Sequence, residues 1–168
     1  MDMTYTIMDS PIGELLLRGD DAGLRGLHME LREGGHAIDS AWRRDDEAFG
    51  AVREQLDAYF AGDLREFDLR LAPEGTPFQQ RVWAALREIP YGETTSYGAL
   101  AAGLGQPGAA RAVGLANGRN PIAVIVPCHR VIGASGALTG FGGGLERKRT
   151  LLDHEAAVAG AGFRASLW

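Results

Sequence analysis

Cysteine is almost absent from this sequence: Cys128 is the one cysteine among 168 residues. A disulfide within the chain is therefore impossible, and a zinc site built from several cysteines is excluded. The four histidines, His28, His36, His129 and His154, show no metal-ligand spacing with acidic residues. We expect neither a bound metal nor a cofactor.

Long hydrophobic runs are missing as well. No uninterrupted apolar stretch approaches the ~20 residues that a membrane-spanning helix needs. The first five residues lack a basic start followed by an apolar run, so they do not resemble a secretory signal. We therefore expect a cytoplasmic protein that has no membrane partner.

Lysine is as rare as cysteine, and the charges are unevenly distributed. Lys148 is the one lysine beside 16 arginines. Residues 1–75 contain 8 basic and 17 acidic residues, a net charge of −9, whereas residues 76–168 contain 9 basic and 5 acidic residues, a net charge of +4. A random solvated surface is one explanation. The other is that the second half meets an anionic partner.

Short strand-like runs separated by turn residues dominate the first 75 residues. Residues 4–8, 15–17 and 24–29 predict a small antiparallel meander, and residues 67–71 predict one further strand. The polar segment 32–46 predicts a loop. A helix with one apolar face is expected next. That face consists of Phe49, Val52, Leu56, Tyr59 and Phe60.

Residues 72–75, Ala-Pro-Glu-Gly, predict a linker where the charge changes sign. We therefore predict an α+β protein of two domains. Residues 1–75 form a small structural α/β domain with an antiparallel sheet. Residues 76–168 form a mostly helical, winged-helix-like domain that contains a helix-turn-helix.

The helix-turn-helix is predicted from helix-capping and turn residues in the second half of the sequence. Thr76-Pro77-Phe78-Gln79 is typical of a capped helix start. Two short helices, at about 95–104 and 109–117, are joined by a glycine-containing turn. A buried extended run at 122–126, a last helix at about 145–157 and a loosely held tail at 156–168 are expected after them. Many such helix pairs never contact DNA, so this signal alone is weak.

The second helix of this pair is built mainly of small residues, including Ala110, Ala112 and Gly114. Small side chains allow a helix to approach another surface closely. Tight packing against another helix is the simpler explanation. It accounts poorly for Arg111, the one long cation among these residues.

A lone cysteine is usually a small buried hydrophobic residue. Cys128, however, precedes His129 and Arg130, and cationic neighbours favour the nucleophilic thiolate. Adjacent side chains on an extended chain point in opposite directions, so His129 need not contact Cys128 directly, and a water between them could carry the proton. A carboxylate must then orient the imidazole, and Glu155 is one candidate.

The motif Pro127-Cys128-His129-Arg130-Val131-Ile132-Gly133 resembles the active-site motif of the methylated-DNA–protein-cysteine methyltransferases, the O6-alkylguanine-DNA alkyltransferases. The resemblance is strong over residues 76–157 and extends to residues 1–75 in general architecture. Further matches follow in the family's order at residues 78–83, 89–92, 96–97, 109–114, 117–118, 120–121, 142–143, 148–152 and 154–155.

The resemblance implies a DNA repair protein that moves an alkyl group from O6-alkylguanine in duplex DNA irreversibly to its own Cys128. Because O6 lies within the base stack, the base must be flipped out before thiolate attack. Each molecule then reacts once. We expect a monomer that binds through the minor groove. O4-alkylthymine as a second substrate, preference among alkyl groups and cooperativity on DNA are left open.

The resemblance also implies roles for the residues around the cysteine. Cys128 is the acceptor, His129 activates it through a water, and Glu155 lies behind His129. Tyr97 contacts the flipped base and donates a proton to it. Arg130 fixes the cysteine loop.

The DNA-binding residues come from the helix of small residues. Arg111 enters the duplex where the flipped nucleotide was, and Ala110, Ala112 and Gly114 allow close approach to a minor groove about 6 Å wide. Asn120 connects this helix to the active-site segment.

One departure and two absences qualify the resemblance. Phe141 stands where many relatives have tyrosine, so a polar role for that pocket wall is in doubt. The zinc-binding cysteines and the phosphotriester-repair domain of some relatives are absent, so a transcriptional role is not expected.

Two other classes of protein fit these residues less well. Non-enzymatic alkyltransferase-like proteins lack the cysteine, and Cys128 argues against them. A thiol hydrolase would need an oxyanion hole and no helix-turn-helix.

Overall fold

The computed structural model describes residues 2–29, 38–133 and 144–167. Phe141 and the Gly142-Gly143 match lie outside the described residues. The chain divides into two compact units, Met1–Glu74 with Pro121–Ala123, and Gly75–Asn120 with Val124–Trp168. None of the described helices is long and apolar enough to cross a bilayer.

The first unit contains the expected meander. Strands β1 (Thr4–Met8), β2 (Leu15–Asp20) and β3 (Gly23–His28) pair antiparallel, in the sheet order β3-β2-β1-β4. Strand β4 (Arg43–Arg44) pairs parallel with β1, in a segment predicted to be loop. The prediction was wrong there because both arginines are exposed, so a two-residue edge strand shows no hydrophobic alternation.

The strand predicted at residues 67–71 was also wrong. Only Leu71 forms a bridge, to Leu24. The side-chain amide of Gln55 forms hydrogen bonds with both backbone groups of Asp68. Its Nε2 donates to the Asp68 carbonyl at 2.9 Å, and its Oε1 accepts from the Asp68 N–H at 2.8 Å. The backbone groups of Asp68 are therefore not available to a ladder, and in the described chain only those of Arg70 and Ala72 bond to Leu24.

The predicted helix of this unit is confirmed as α1 (Gly50–Phe60). Val52, Leu56 and Tyr59 are buried on one face of it. Gly62 follows with φ +83, the left-handed conformation that ends many helices.

The second unit is mostly helical, as predicted. It contains α2 (Pro77–Leu86), the short strand β5 (Thr95–Ser96), α3 (Tyr97–Gly103) and α4 (Ala110–Gly118). The capping box of α2 is confirmed: Gln79 N–H donates to Thr76 Oγ1 at 3.1 Å, and Thr76 N–H donates to Gln79 Oε1 at 2.9 Å.

Two hydrogen bonds hold α2 to the helical pair. The indole N–H of Trp83 donates to the carbonyl of Ala116 at 2.8 Å, and Arg81 donates to the carbonyl of Leu104 at 2.9 Å. Helix α4 is thereby fixed along its buried side and keeps its other side exposed.

The segment 122–126 was predicted to be extended, and this was wrong. It forms consecutive turns, in which Ile122 makes one bridge to Leu27 and Val124 has φ +72. Such a φ is rare for a β-branched residue. These apolar residues are buried, so hydrophobicity alone could not distinguish a strand from buried turns.

The remaining elements complete the second unit. A 3₁₀ turn, Cys128–Arg130, leads into β6 (Val131–Ile132), which pairs parallel with β5. Helix α5 (Leu145–Leu167) is longer than predicted and includes most of the tail expected to be loose. Its alanines are good helix formers, which the tail's glycines obscured in the sequence.

Candidate active site

Cys128 begins a 3₁₀ turn, whereas an extended chain was expected. The turn is closed by Arg130 N–H donating to the carbonyl of Pro127 at 3.0 Å. Cys128, His129 and Arg130 are all buried. The turn therefore places a thiol, an imidazole and a guanidinium side by side in one buried cluster.

Burial raises the pKa of the Cys128 thiol above its ordinary value. A hydrogen bond from Asn120, the charge of Lys148 and nearby backbone N–H groups oppose this rise without overcoming it. His129 and Arg130 were expected to favour the thiolate, but desolvation of the buried sulfur favours the neutral thiol and outweighs the groups that lower its pKa. The thiol must lose its proton as part of the reaction.

Glu155 on α5 is the centre of the buried hydrogen bonds. Its Oε2 lies 2.6 Å from His129 Nε2 and accepts from Arg130 Nη2 at 3.0 Å. Its Oε1 accepts from Arg130 Nε at 2.8 Å and from the N–H of Gly92 at 3.3 Å. One carboxylate therefore holds the two residues that follow the cysteine.

Burial alone would raise the pKa of Glu155, but the hydrogen bonds and charges of His129 and Arg130 hold it well below its usual range. Burial lowers the pKa of His129, with Glu155 opposing. The imidazole is therefore neutral at pH 7. Because the carboxylate only accepts, Nε2 carries the proton and Nδ1 is an acceptor.

The Nδ1 atom of His129 is buried and has no hydrogen-bond partner in the described chain. No direct hydrogen bond therefore joins His129 to the Cys128 sulfur. This geometry is compatible with the expected relay through a water, which stays a prediction.

The Ile89–Gly92 turn also contacts the buried cluster. Arg130 Nη1 donates to the carbonyl of Ile89 at 2.7 Å, and the guanidinium lies 5.5 Å from the centre of the Tyr91 ring. Gly92 has φ +79, and a Cβ there would lie 2.6 Å from Cβ of Ala159. Gly92 lies in the family motif at residues 89–92, but the sequence did not reveal its hydrogen bond to Glu155.

Asn120 holds the turns at residues 122–126, which precede the cysteine. Its Nδ2 donates to the carbonyl of Val126 at 2.8 Å. Lys148 on α5 is buried, and its Nζ donates to the carbonyl of Val131 at 2.6 Å. Asn117 is buried as well, with Nδ2 donating to the carbonyl of Cys128 at 3.4 Å. Sequence reasoning missed site roles for Lys148 and Asn117, although the rarity of lysine was a signal for the former.

Helix α4 separates its residues into two sides. Val113, Ala116 and Asn117 are buried, whereas Arg111 and Ala112 are exposed. Ala110 and Gly114 are half-buried. Leu115, one turn after Arg111, is 64% exposed.

Tyr97 is the first residue of α3, after the N-cap Ser96. A Cβ on Gly114 would lie 3.7 Å from Cδ1 of the Tyr97 ring, so the tyrosine lies beside α4. The structure thus groups Cys128 with His129, Arg130 and Glu155, and groups Tyr97 with α4.

Two family models match the chain in succession. The 6-O-methylguanine DNA methyltransferase ribonuclease-like domain matches residues 3–73, and the DNA binding domain of the same methyltransferase matches residues 77–157. The methylated-DNA–protein-cysteine methyltransferase of Mycobacterium tuberculosis strain H37Rv is 59% identical over 157 residues, 94% of each chain. The Methanosarcina acetivorans protein of that name is 54% identical over 155 residues, 92% of this chain and 99% of its own.

A solved structure of Mycobacterium tuberculosis OGT in complex with DNA has a TM-score of 0.86 and 57% identity to this chain. It covers 92% of this chain and 94% of its own. Identity above 50% along nearly the whole length, with both domain models in order, leads to one conclusion: the chain belongs to the methylated-DNA–protein-cysteine methyltransferase family.

Proposed function

We propose that this protein repairs DNA by transferring the alkyl group of O6-alkylguanine in a duplex to its own Cys128. The observation that carries the proposal is the buried arrangement of Cys128, His129 and Glu155 within a chain of this family. A neutral imidazole held by a carboxylate is a suitable base for a thiol that burial keeps protonated.

The chemical step is a displacement at the alkyl carbon. The thiol proton passes to Nδ1 of His129, and Glu155 stabilises the imidazolium that forms. The Cys128 sulfur then forms a bond to the alkyl carbon as the bond from carbon to O6 breaks. Tyr97 donates a proton to the departing guanine and regains one from solvent. The imidazolium of His129 then releases its proton to solvent. In the net reaction, a proton replaces the alkyl group on guanine and the alkyl group replaces the proton on Cys128.

The transfer consumes the protein because a thioether is not readily hydrolysed. Lys148 adds a positive charge near Cys128, which favours the thiolate at the moment of attack. Arg130 takes no part in the displacement in this proposal. It fixes the turn through Glu155 and the carbonyl of Ile89.

Access to O6 requires a flipped nucleotide. We propose that α4 lies in the minor groove, where Ala110, Ala112 and Gly114 allow close approach and Arg111 fills the gap in the stack. Asn120 links α4 to the cysteine turn.

Residues 76–168 carry DNA binding and the alkyl transfer in this proposal, and residues 1–75 are structural. Genomic DNA as substrate favours a cytoplasmic location.

Mass spectrometry of the intact protein tests the function. Incubation with excess O6-methylguanine duplex is expected to add one methyl group per active molecule, mapped to Cys128. Cys128→Ser is the control: it should bind the same duplex and gain no mass. Repeated turnover, or a methyl group on another residue, would contradict the proposal.

A further inference from the structure

Two buried polar atoms beside the cysteine turn have no hydrogen-bond partner in the described chain: Nδ1 of His129 and Oδ1 of Asn117. His129 is fully buried, and Asn117 is 1% exposed. An unpaired buried acceptor costs about 1–3 kcal/mol, so two beside one reactive group require an explanation.

Asn117 lies in the last turn of α4, and its side chain contacts the cysteine turn. Its Nδ2 donates to the carbonyl of Cys128 at 3.4 Å. A flipped amide would place Oδ1 against that carbonyl, acceptor against acceptor, so this bond sets the orientation. The carbonyl of Cys128 belongs to the peptide group that joins Cys128 to His129, so the Asn117 amide lies next to that peptide group.

Both unpaired atoms are acceptors. Nδ1 accepts because Nε2 of the same ring donates to Glu155, and Oδ1 is a carbonyl oxygen. Two acceptors cannot satisfy each other. A water molecule donates two hydrogens and can satisfy both, and its oxygen can at the same time accept from the Cys128 thiol.

We propose that Asn117 is a positioning residue that holds the proton-relay water of Cys128 through Oδ1. This inference rests on the proposed function. The water accepts from the Cys128 thiol and donates to Nδ1 of His129 and to Oδ1 of Asn117. Three partners are typical of a buried water.

In the relay, the thiol proton moves to the water while the water's own proton moves from oxygen to Nδ1. The products are a thiolate, an imidazolium bonded to Glu155 and an unchanged water. The hydrogen bond to Asn117 takes part in no bond change. It orients the water so that its other hydrogen points at Nδ1.

The test compares Asn117→Leu, which removes the acceptor at similar volume, with Asn117→Asp, which keeps an oxygen in that place. Single-turnover rates are measured with free O6-benzylguanine between pH 6 and 9.5. The free base avoids any effect on DNA binding. Val113→Ala, a loss of buried apolar volume on the same helix, is the matched control.

We expect Asn117→Leu to slow the reaction about tenfold at pH 7, less than the 10²–10⁴-fold of a whole acid–base relay. Its deficit should shrink as pH rises, because hydroxide then removes the thiol proton directly. Asn117→Asp loses the Nδ2 donor to the Cys128 carbonyl but keeps an acceptor for the water, so it should lower the melting temperature and still react faster at pH 7 than Asn117→Leu. Val113→Ala should lower the melting temperature and keep the parental profile.

A deficit that is the same at every pH, or equal losses in Asn117→Leu and Asn117→Asp, would show that the Nδ2 bond to Cys128 matters instead and would overturn the inference. Parental rates in Asn117→Leu would overturn it too, while leaving the proposed function intact. If the parent protein gains no methyl mass from O6-methylguanine duplex, both proposals fail together. Should Asn117→Leu not fold, Asn117→Ala removes the same oxygen and is read in the same way.

Discussion

Glu155 forms hydrogen bonds with three residues that lie 25 to 63 positions before it in the sequence. It accepts from His129, Arg130 and Gly92, so one carboxylate both orients the base and stabilises a buried guanidinium. Loss of its charge therefore has two consequences that have to be separated: slower chemistry and lower stability.

We predict that Glu155→Gln slows single-turnover transfer by about 10²–10⁴-fold, because the imidazole loses its orienting anion. The free energy of unfolding should fall by about 3–5 kcal/mol, because Arg130 becomes a buried charge without its partner. Rates on O6-benzylguanine and urea denaturation at one temperature, below the melting range, measure the two effects.

Arg130→Gln is the control, since it breaks the same ion pair and leaves the bond between His129 and Glu155 in place. It should lose comparable stability and much less rate per folded molecule. Equal rate losses in the two variants would mean that Glu155 acts through the shape of the turn and not through His129.

Helix α4 combines features that a purely structural helix would not need. Its buried side is apolar except for Asn117, and its exposed side is made of small residues apart from Arg111 and Leu115. A helix that only packed against α2 would have no use for an exposed arginine beside alanines. The exposed side therefore has the form expected for close approach to a narrow groove.

We predict that Arg111→Ala slows repair of O6-methylguanine duplex by tenfold or more and leaves the reaction with free O6-benzylguanine nearly unchanged. Unstacking a base costs a few kcal/mol, and each ~1.4 kcal/mol is tenfold in rate. Single-turnover assays on both substrates, run against the parent protein, measure the difference.

Arg119→Ala is the matched control, because it removes an exposed arginine at the end of the same helix. Its effect on the duplex should be smaller and should diminish with added salt. Equal losses on duplex and free base in Arg111→Ala would assign Arg111 to the fold or the pocket.

The buried cluster also makes the stability of the whole molecule depend on pH. Burial lowers the folded-state pKa of His129, and the donors around Glu155 hold its pKa down despite burial. Below about pH 6.5 the unfolded chain protonates a histidine that stays neutral when folded, and below about pH 4.3 it protonates a glutamate that stays ionised. Both effects favour unfolding as pH falls.

We predict that the free energy of unfolding decreases from pH 7.5 to pH 5 and more steeply below about pH 4.3, with each group contributing up to about 1.4 kcal/mol per pH unit. Urea denaturation at four pH values measures this. His129→Gln should flatten the decrease between pH 7 and 5. No decrease in the parent over that range would mean that His129 is protonated when folded.

Local patterns in the sequence predicted the elements whose cause is local. The capping box at Thr76, the apolar face of α1 and the meander of β1 to β3 follow from residues a few positions apart. The turns at 122–126 and the edge strand β4 could not be predicted in this way. Their backbone groups are satisfied by distant partners, such as Leu27 for Ile122 and β1 for β4.

The sequence by itself determined the family, the reactive residue and the uneven charge, since each depends on residue identity and order along the chain. The tertiary structure decided the state of the reactive groups. Desolvation, which no short motif encodes, keeps the Cys128 thiol protonated and His129 neutral. Folding also brings Glu155, Gly92 and Asn117 to the cysteine turn, because hydrogen bonds between groups 11 to 63 residues apart exist only once the chain has folded.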